Sequence, residues 1–228
     1  MTIDPEIRKL AEAFRETGIK APTYQITIAA YPESTLLMHR DNIYWADEMK
    51  AWQSDPINKK LGSPGDDRTP AYRWVGALYL SENDEHMEAG AQIPTGKGQK
   101  TFKSQSQSGL YLSKFSPLIL GDNKPLAFGP IQKFLDDKPT ASFDEHVELV
   151  RKLGFDLDVA TARPSKTARG RHIRVRPVFK DWMLSFSVIV LDDQITETVL
   201  NQLVTIAGLS KGLCDWRPSS STPGHHGK

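Results

Sequence analysis

The strongest structural signal in the sequence lies at residues 182–191, which read Trp-Met-Leu-Ser-Phe-Ser-Val-Ile-Val-Leu. This stretch is rich in β-branched and aromatic residues and ends in an almost continuous apolar run, a pattern typical of a buried strand. Apolar residues then recur at the spacing of one helix face, at Ile195, Val199, Leu203 and Ile206. A buried strand that leads into an amphipathic helix predicts a fold in which helices cover a sheet.

A second strand is predicted just before the first. Residues 173–179 alternate apolar and basic side chains, which places Arg174 and Arg176 on one face of a strand. Because the gap to the next strand is short, we expect the two strands to form a β-hairpin. Together with an earlier strand at 24–30 and the helix at 195–207, the hairpin predicts an α+β fold, a ferredoxin-like (RRM-like) sandwich.

The remaining segments predict shorter elements within a single domain that spans residues 1–228. Asp4, Pro5 and Gly18 are suited to cap, begin and end an N-terminal helix. Residues 41–170 are expected to form an insertion and loop-rich region within the domain. We also expect a short strand at 35–38, a weak helix at 44–53, a strand at 110–115, a helix at 142–153, and either a strand or a helix at 73–80.

The overall composition excludes several classes of protein. The chain has 228 residues, with 29 Lys and Arg against 28 Asp and Glu, so it is not a globally basic protein of the histone type. Its one cysteine, Cys214, cannot form an internal disulfide. No run approaches the ~18 apolar residues of a membrane span, and the N-terminus does not read as a secretory signal. We therefore expect a cytoplasmic protein without a membrane partner, and any nucleic-acid surface would have to arise from local segregation of charge.

The basic residues are concentrated between positions 163 and 176. This stretch of fourteen residues contains no acidic residue and six basic ones, which are Arg163, Lys166, Arg169, Arg171, Arg174 and Arg176. A row of guanidinium groups can bind phosphates through paired hydrogen bonds, so the stretch predicts contact with nucleic acid. The same residues would also suit an edge strand whose charge prevents aggregation.

Two other segments combine basic residues with glycines and an aromatic residue. Glycines let a ligand approach the backbone, basic side chains contact phosphates, and an aromatic ring stacks on a base. A flexible loop would explain the first segment equally well, and a helix end with a core tryptophan would explain the second. The candidate binding residues are Lys97, Lys100, Phe102 and Lys103 in the first segment, and Lys211, Trp216 and Arg217 in the second.

Catalytic and metal-binding motifs are not apparent in the sequence. The six histidines are scattered, without an HExxH motif or a Cys/His pair, and there is no GxSxG motif. Acidic pairs at 66–67, 136–137 and 192–193 are expected to be solvated in turns or to lie at a helix N-terminus. We therefore predict no catalytic residue, no metal, no cofactor and no enzymatic activity.

The last sixty residues carry a family resemblance. A predicted hairpin with a basic strand, the helix at 195–207 and a glycine-containing loop with an arginine at 208–217 resemble the RAMP superfamily. These are ferredoxin-like RNA-binding proteins of CRISPR effector complexes in antiviral defence, and their Cas7-like group polymerises along a guide RNA. The resemblance implies that the insertion forms a palm and thumb. It also implies an RNA groove lined by Lys97, Lys100, Arg169, Arg171, Arg174, Arg176 and Arg217.

Three functions are consistent with these features. The leading hypothesis is a non-enzymatic protein that binds RNA or single-stranded DNA and assembles side by side along the strand with other copies of itself and with other effector subunits. The second is a phage-type structural or assembly protein that uses its basic strand for a protein partner. The third is a histidine-dependent endoribonuclease of the same fold, for which His172 and His225 are candidates. Phosphate binding distinguishes the first from the second because it weakens steeply as salt is raised.

Overall fold

A computed structural model describes residues 3–40, 42–62, 65–80, 90–91, 108–121, 123–162, 172–215, 217–219 and 224–228. The chain divides into two compact units. The first comprises Met1–Leu36, Gly90–Pro125 and Asp181–Lys228, and the second comprises Leu37–Ala89 and Leu126–Lys180. The second unit overlaps the region at 41–170 that the sequence predicts as an insertion.

The described residues contain both helices and antiparallel sheets, and the α+β class predicted from the sequence is confirmed. In chain order the elements are α1 (Pro5–Glu16), β1 (Thr23–Ala29), β2 (Leu36–Leu37), α2 (Ile43–Ser54), 3-10 turns at Asn58–Lys60 and Arg73–Ala77, β3 (Gly90–Ala91), β4 (Leu110–Leu112), β5 (Ser116–Ile119), α3 (Gly129–Asp137), α4 (Phe143–Lys152), β6 (Asp156–Ala162), β7 (His172–Phe179), β8 (Met183–Val190) and α5 (Glu197–Ser210). No helix among them is long and apolar enough to cross a bilayer.

The first unit is built around β8. Its sheet has the order β1-β8-β5-β3, and β4 also pairs with β8. Seven of the eight residues of β8 are buried, which explains the nearly continuous apolar run in its sequence. Leu200 and Leu203 of α5 pack with Val188 and Val190 in one core cluster. On α1, Ile7 and Ala11 pack against Ile189.

The second unit contains a three-stranded sheet of the order β2-β7-β6. Val175, Pro177 and Phe179 of β7 are buried, and Phe179 stacks on Phe155 with ring centroids 4.8 Å apart. Helix α4 begins with a complete capping box between Ser142 and Glu145. In the segment at 73–80, which the sequence leaves open between strand and helix, Arg73–Ala77 forms a 3-10 turn whose last four residues are buried.

The predicted hairpin between the last two strands is wrong. Strand β7 pairs with β6 on one edge and with β2 on the other, whereas β8 pairs with β1 on one edge and with β4 and β5 on the other. Each strand has its backbone groups satisfied on both edges by other partners, so the two lie in different sheets. The sequence analysis did not predict β6, and β6 is the strand that occupies the edge of β7.

Candidate nucleic-acid interface

The hairpin of β6 and β7 holds the basic stretch singled out in the sequence. The two strands are antiparallel, and Ala162 is the register partner of His172. Burial alternates along β7, with Val175 on the core face. Arg174 and Arg176 therefore share the opposite face, as the sequence predicted.

Four of the basic residues lie in the connection between the two strands. The chain leaves β6 at Ala162 and enters β7 at His172, so both ends of the connecting residues 163–171 are held at the same end of the hairpin. We call residues 163–171 the basic loop. Its four basic residues are Arg163, Lys166, Arg169 and Arg171, and all four lie outside the described residues.

Arg176 is held in an ion pair within the hairpin. Its register partner on β6 is Asp158, and its Nη2 lies 2.8 Å from Asp158 Oδ2. The Arg176 side chain is 13% exposed. A guanidinium this covered has a structural role, because pairing with a carboxylate compensates for its removal from water.

Arg174 is also engaged with a carboxylate. Its Nη1 lies 3.3 Å from Oδ2 of Asp67, and the other carboxylate oxygen of Asp67 lies 3.3 Å from Nε of Arg73. The aspartate is 7% exposed, so a nearly buried anion is shared by two partly exposed arginines. The sequence analysis expected this aspartate to be solvated in a turn, and that expectation is wrong.

The segment that carries Asp67 is bonded directly to β7. The Ile173 N–H donates to the Gly65 carbonyl at 2.7 Å, and the Asp67 N–H donates to the Ile173 carbonyl at 3.0 Å. Gly65 has φ +84°, and a Cβ built on it would lie 2.9 Å from the His172 ring, so a side chain there would be strained. These contacts fix the start of β7, where the basic loop ends.

The structure describes only part of the two other candidate segments. Lys97, Lys100, Phe102, Lys103 and Trp216 lie outside the described residues. Lys211 is exposed just after α5. Arg217 donates from Nη1 to the Cys214 carbonyl and from Nε to the Ser219 hydroxyl. Among the candidates that the structure describes, Arg174, Arg176 and Arg217 are thus engaged within the protein.

Two observations concern thiol and metal chemistry in the described residues. Desolvation of the thiol raises the pKa of Cys214 to about 12, so its thiolate form is disfavoured. Within the described residues, no cluster of three or more His, Cys, Asp or Glu side chains could hold a metal ion.

Comparison of the chain with protein-family models, with curated proteins and with solved structures finds no match.

His146 is a buried core residue that the sequence analysis did not single out. It is 2% exposed, and the indole N–H of Trp74 donates to its Nδ1 at 3.2 Å. Nδ1 is an acceptor in this hydrogen bond, so the ring is neutral and carries its proton on Nε2. Burial lowers the pKa of His146, and the charge of the adjacent Glu145 opposes this shift only in part.

The lowered pKa of His146 predicts a loss of stability in mild acid. As the pH falls through the ordinary histidine value of about 6.5, the unfolded chain takes up a proton that the folded chain resists, so the free energy of unfolding decreases. The pKa of Glu145, lowered to about 2, affects stability only at more acidic pH. Urea denaturation at about pH 7.5 and pH 5.5 measures the effect.

His146→Gln should reduce this pH dependence, because an amide can accept the Trp74 hydrogen bond without titrating. The exposed and non-titrating Thr205 provides the control, and Thr205→Ala should leave the pH dependence unchanged. An unchanged pH dependence in the His146→Gln protein would contradict the assignment.

Proposed function

We propose that the protein binds single-stranded nucleic acid, RNA in the first instance, through the basic loop that connects β6 and β7. The observation that supports this proposal is the pairing of Ala162 with His172, which holds both ends of a segment with four basic residues and no acid at one end of a hairpin. Arginine side chains in such a loop can contact phosphates through paired hydrogen bonds.

Three carboxylates on or beside the hairpin have cations of the described residues as partners. Asp158 pairs with Arg176, and Asp156 of β6 pairs with Arg151 at 2.9 Å. Asp67, next to the start of β7, is shared by two arginines. We infer that the basic loop meets an external anion, and a nucleic-acid backbone is an anion with repeated charges that matches it.

A footprint of this size gives modest affinity for each copy. Four phosphate contacts on a single strand correspond to a slope of about −3 for log K against log salt. We propose that copies assemble side by side on one strand, where neighbours increase the apparent affinity. The ferredoxin-like arrangement of a RAMP-type subunit would suit such an assembly and stays a prediction.

The test is neutralisation of the basic loop by four simultaneous substitutions, Arg163→Gln, Lys166→Gln, Arg169→Gln and Arg171→Gln. We expect binding of a labelled single-stranded RNA of about 20 nucleotides to weaken about 50-fold between about 50 and 200 mM salt for the natural chain. This salt dependence should almost disappear in the variant.

Mass photometry with RNAs of increasing length should count more bound copies on longer strands.

A matched control removes the same charge elsewhere in the second unit. Lys50, Lys59, Lys60 and Lys133 are exposed on α2, on the 3-10 turn at Asn58–Lys60 and on α3. Their substitution by Gln should leave both the affinity and the salt slope close to those of the natural chain. Equal losses in the two variants would show that binding follows net charge alone and would overturn the assignment to the loop.

A further inference from the structure

Strand β6 has a side chain that its own sheet does not cover. Among the described residues β6 pairs only with β7, so it forms an edge of the second unit's sheet. Val159 is the register partner of Val175, and the two side chains share the core face. Val175 is buried, yet Val159 is 48% exposed. A valine on the core face is therefore open to solvent at the outer edge of β6.

The hydrogen bonds of β7 show which backbone groups of β6 point outward. Ile173 and Pro177 bond to segments on the side of β7 away from β6. Because alternate residues direct their backbone groups to opposite edges, the even-numbered residues of β7 bond to β6, and the register matches them with even-numbered residues of β6. The open edge of β6 is therefore formed by the N–H and C=O groups of Leu157, Val159 and Thr161.

We propose that this edge pairs with β6 of a second copy of the chain, antiparallel and about a two-fold axis at Val159. Val159 then pairs with Val159 of the second copy, and Leu157 pairs with Thr161 of that copy. All outward backbone groups of these residues gain partners, and the exposed surface of each Val159 is covered by the other. A symmetric contact of this kind closes as a dimer.

The charges of β6 select this register over its neighbours. With the axis at Val159, Asp156 faces Ala162 of the second copy and Asp158 faces Ala160. With the axis at Leu157, Asp156 would face Asp158 of the second copy, and like charges directly opposite each other are destabilising. The next register in the other direction, with the axis at Thr161, would leave only the end of the strand paired.

The charges of β6 lie on Asp156 and Asp158, whose backbone groups bond to β7, and not on the residues of the outer edge. Natural edge strands are commonly protected by lysine, by proline or by a bulge. The three residues that direct their backbone groups outward are uncharged, none is proline, and the register with β7 is continuous over all seven residues. The inference does not depend on the proposed nucleic-acid binding, because it is argued from the residues of β6 alone.

Oxidative crosslinking tests the position of the axis. In a hydrogen-bonded antiparallel pair the Cα atoms are about 5.5 Å apart, a separation that a disulfide can span. Val159→Cys should therefore give a covalent dimer on mild oxidation, and the desolvated Cys214 thiol should not compete. Thr161→Cys is the control, because its counterpart in the second copy lies four residues further along the strand. Equal crosslinking of the two variants, or none in either, would overturn the register.

Sedimentation of the reduced protein over a concentration series tests the dimer itself. Val159→Pro removes one outward N–H without affecting the bonds to β7, so it should shift the equilibrium to monomer, whereas Val159→Thr should retain the dimer. Ala160→Asp would place a carboxylate opposite Asp158 of the second copy but beside Arg174 in its own sheet. We expect it to weaken dimerisation by about 2- to 30-fold while the monomer stays folded, and Ala160→Lys to strengthen it.

Circular dichroism is the control that each variant is folded. If the proline variant unfolds, the sedimentation of Ala160→Asp still tests the dimer. A natural chain that sediments as a monomer at every concentration would overturn the proposal. A dimer that none of the β6 substitutions affects would also overturn it, because the contact would then lie elsewhere.

Discussion

Leu203→Ala is expected to lower the free energy of unfolding by about 2–5 kcal/mol. Leu203 is 6% exposed on α5 and packs in the cluster that contains Leu200, Val188 and Val190. Removing its side chain takes away apolar contacts and leaves a cavity between the helix and β8. Urea denaturation followed by circular dichroism measures the change in midpoint and slope.

The neighbouring Thr205 supplies a control on the same helix. Its side chain is exposed, so Thr205→Ala should change the free energy of unfolding by less than about 0.5 kcal/mol. If Leu203→Ala cost no more than this control, the packing of α5 on β8 would not contribute to the stability of the first unit.

Asp67→Ala is expected to destabilise the protein by about 2–4 kcal/mol, somewhat below the usual cost of breaking a fully buried ion pair because the two arginines are partly exposed. The substitution leaves Arg73 and Arg174 without their shared carboxylate. It also weakens the attachment of the segment from Gly65 to Asp67 along the start of β7. Thermal and urea denaturation measure the loss.

The adjacent Asp66 makes a matched comparison. It pairs with Arg68 at 2.7 Å, and the side chains of Asp66 and Arg68 are 17% and 46% exposed. Because this single partner reaches solvent, the ion pair contributes little, and Asp66→Ala should cost less than about 1 kcal/mol. Similar losses for the two substitutions would show that burial of Asp67 between its arginines is not what stabilises the segment.

Helices and strands that depend on residues close together in the chain could be predicted from the sequence. The side chain of Asp4 caps α1 by accepting a hydrogen bond from the Glu6 N–H at 2.8 Å, as the pattern Asp-Pro-Glu predicted. Strands β7 and β8 occur close to their predicted positions, because alternation and apolar runs reflect burial on one or both faces. The predicted helix at 195–207 is shifted to Glu197–Ser210, since Thr196 caps it and Ile195 packs in the core before it begins.

Strand β6 shows why other elements were missed. Its sequence, Asp-Leu-Asp-Val-Ala-Thr-Ala, mixes acidic and small residues and has a weak intrinsic preference for a strand. It is a strand because β7 supplies hydrogen-bond partners along its whole length. The hairpin error has the same origin, since a short gap between two strands favours their pairing only if their edges are still free.

The sequence by itself determined where the basic residues are concentrated and on which face of β7 the arginines lie, because both follow from order along the chain and from the period of a strand. Only the tertiary structure decided which carboxylates the strand arginines meet. Asp158 reaches Arg176 across 18 positions of sequence, and Asp67 reaches Arg174 across 107. Coulomb attraction depends on distance in space, so the partners of a charged side chain follow from the folded chain and not from its neighbours in sequence.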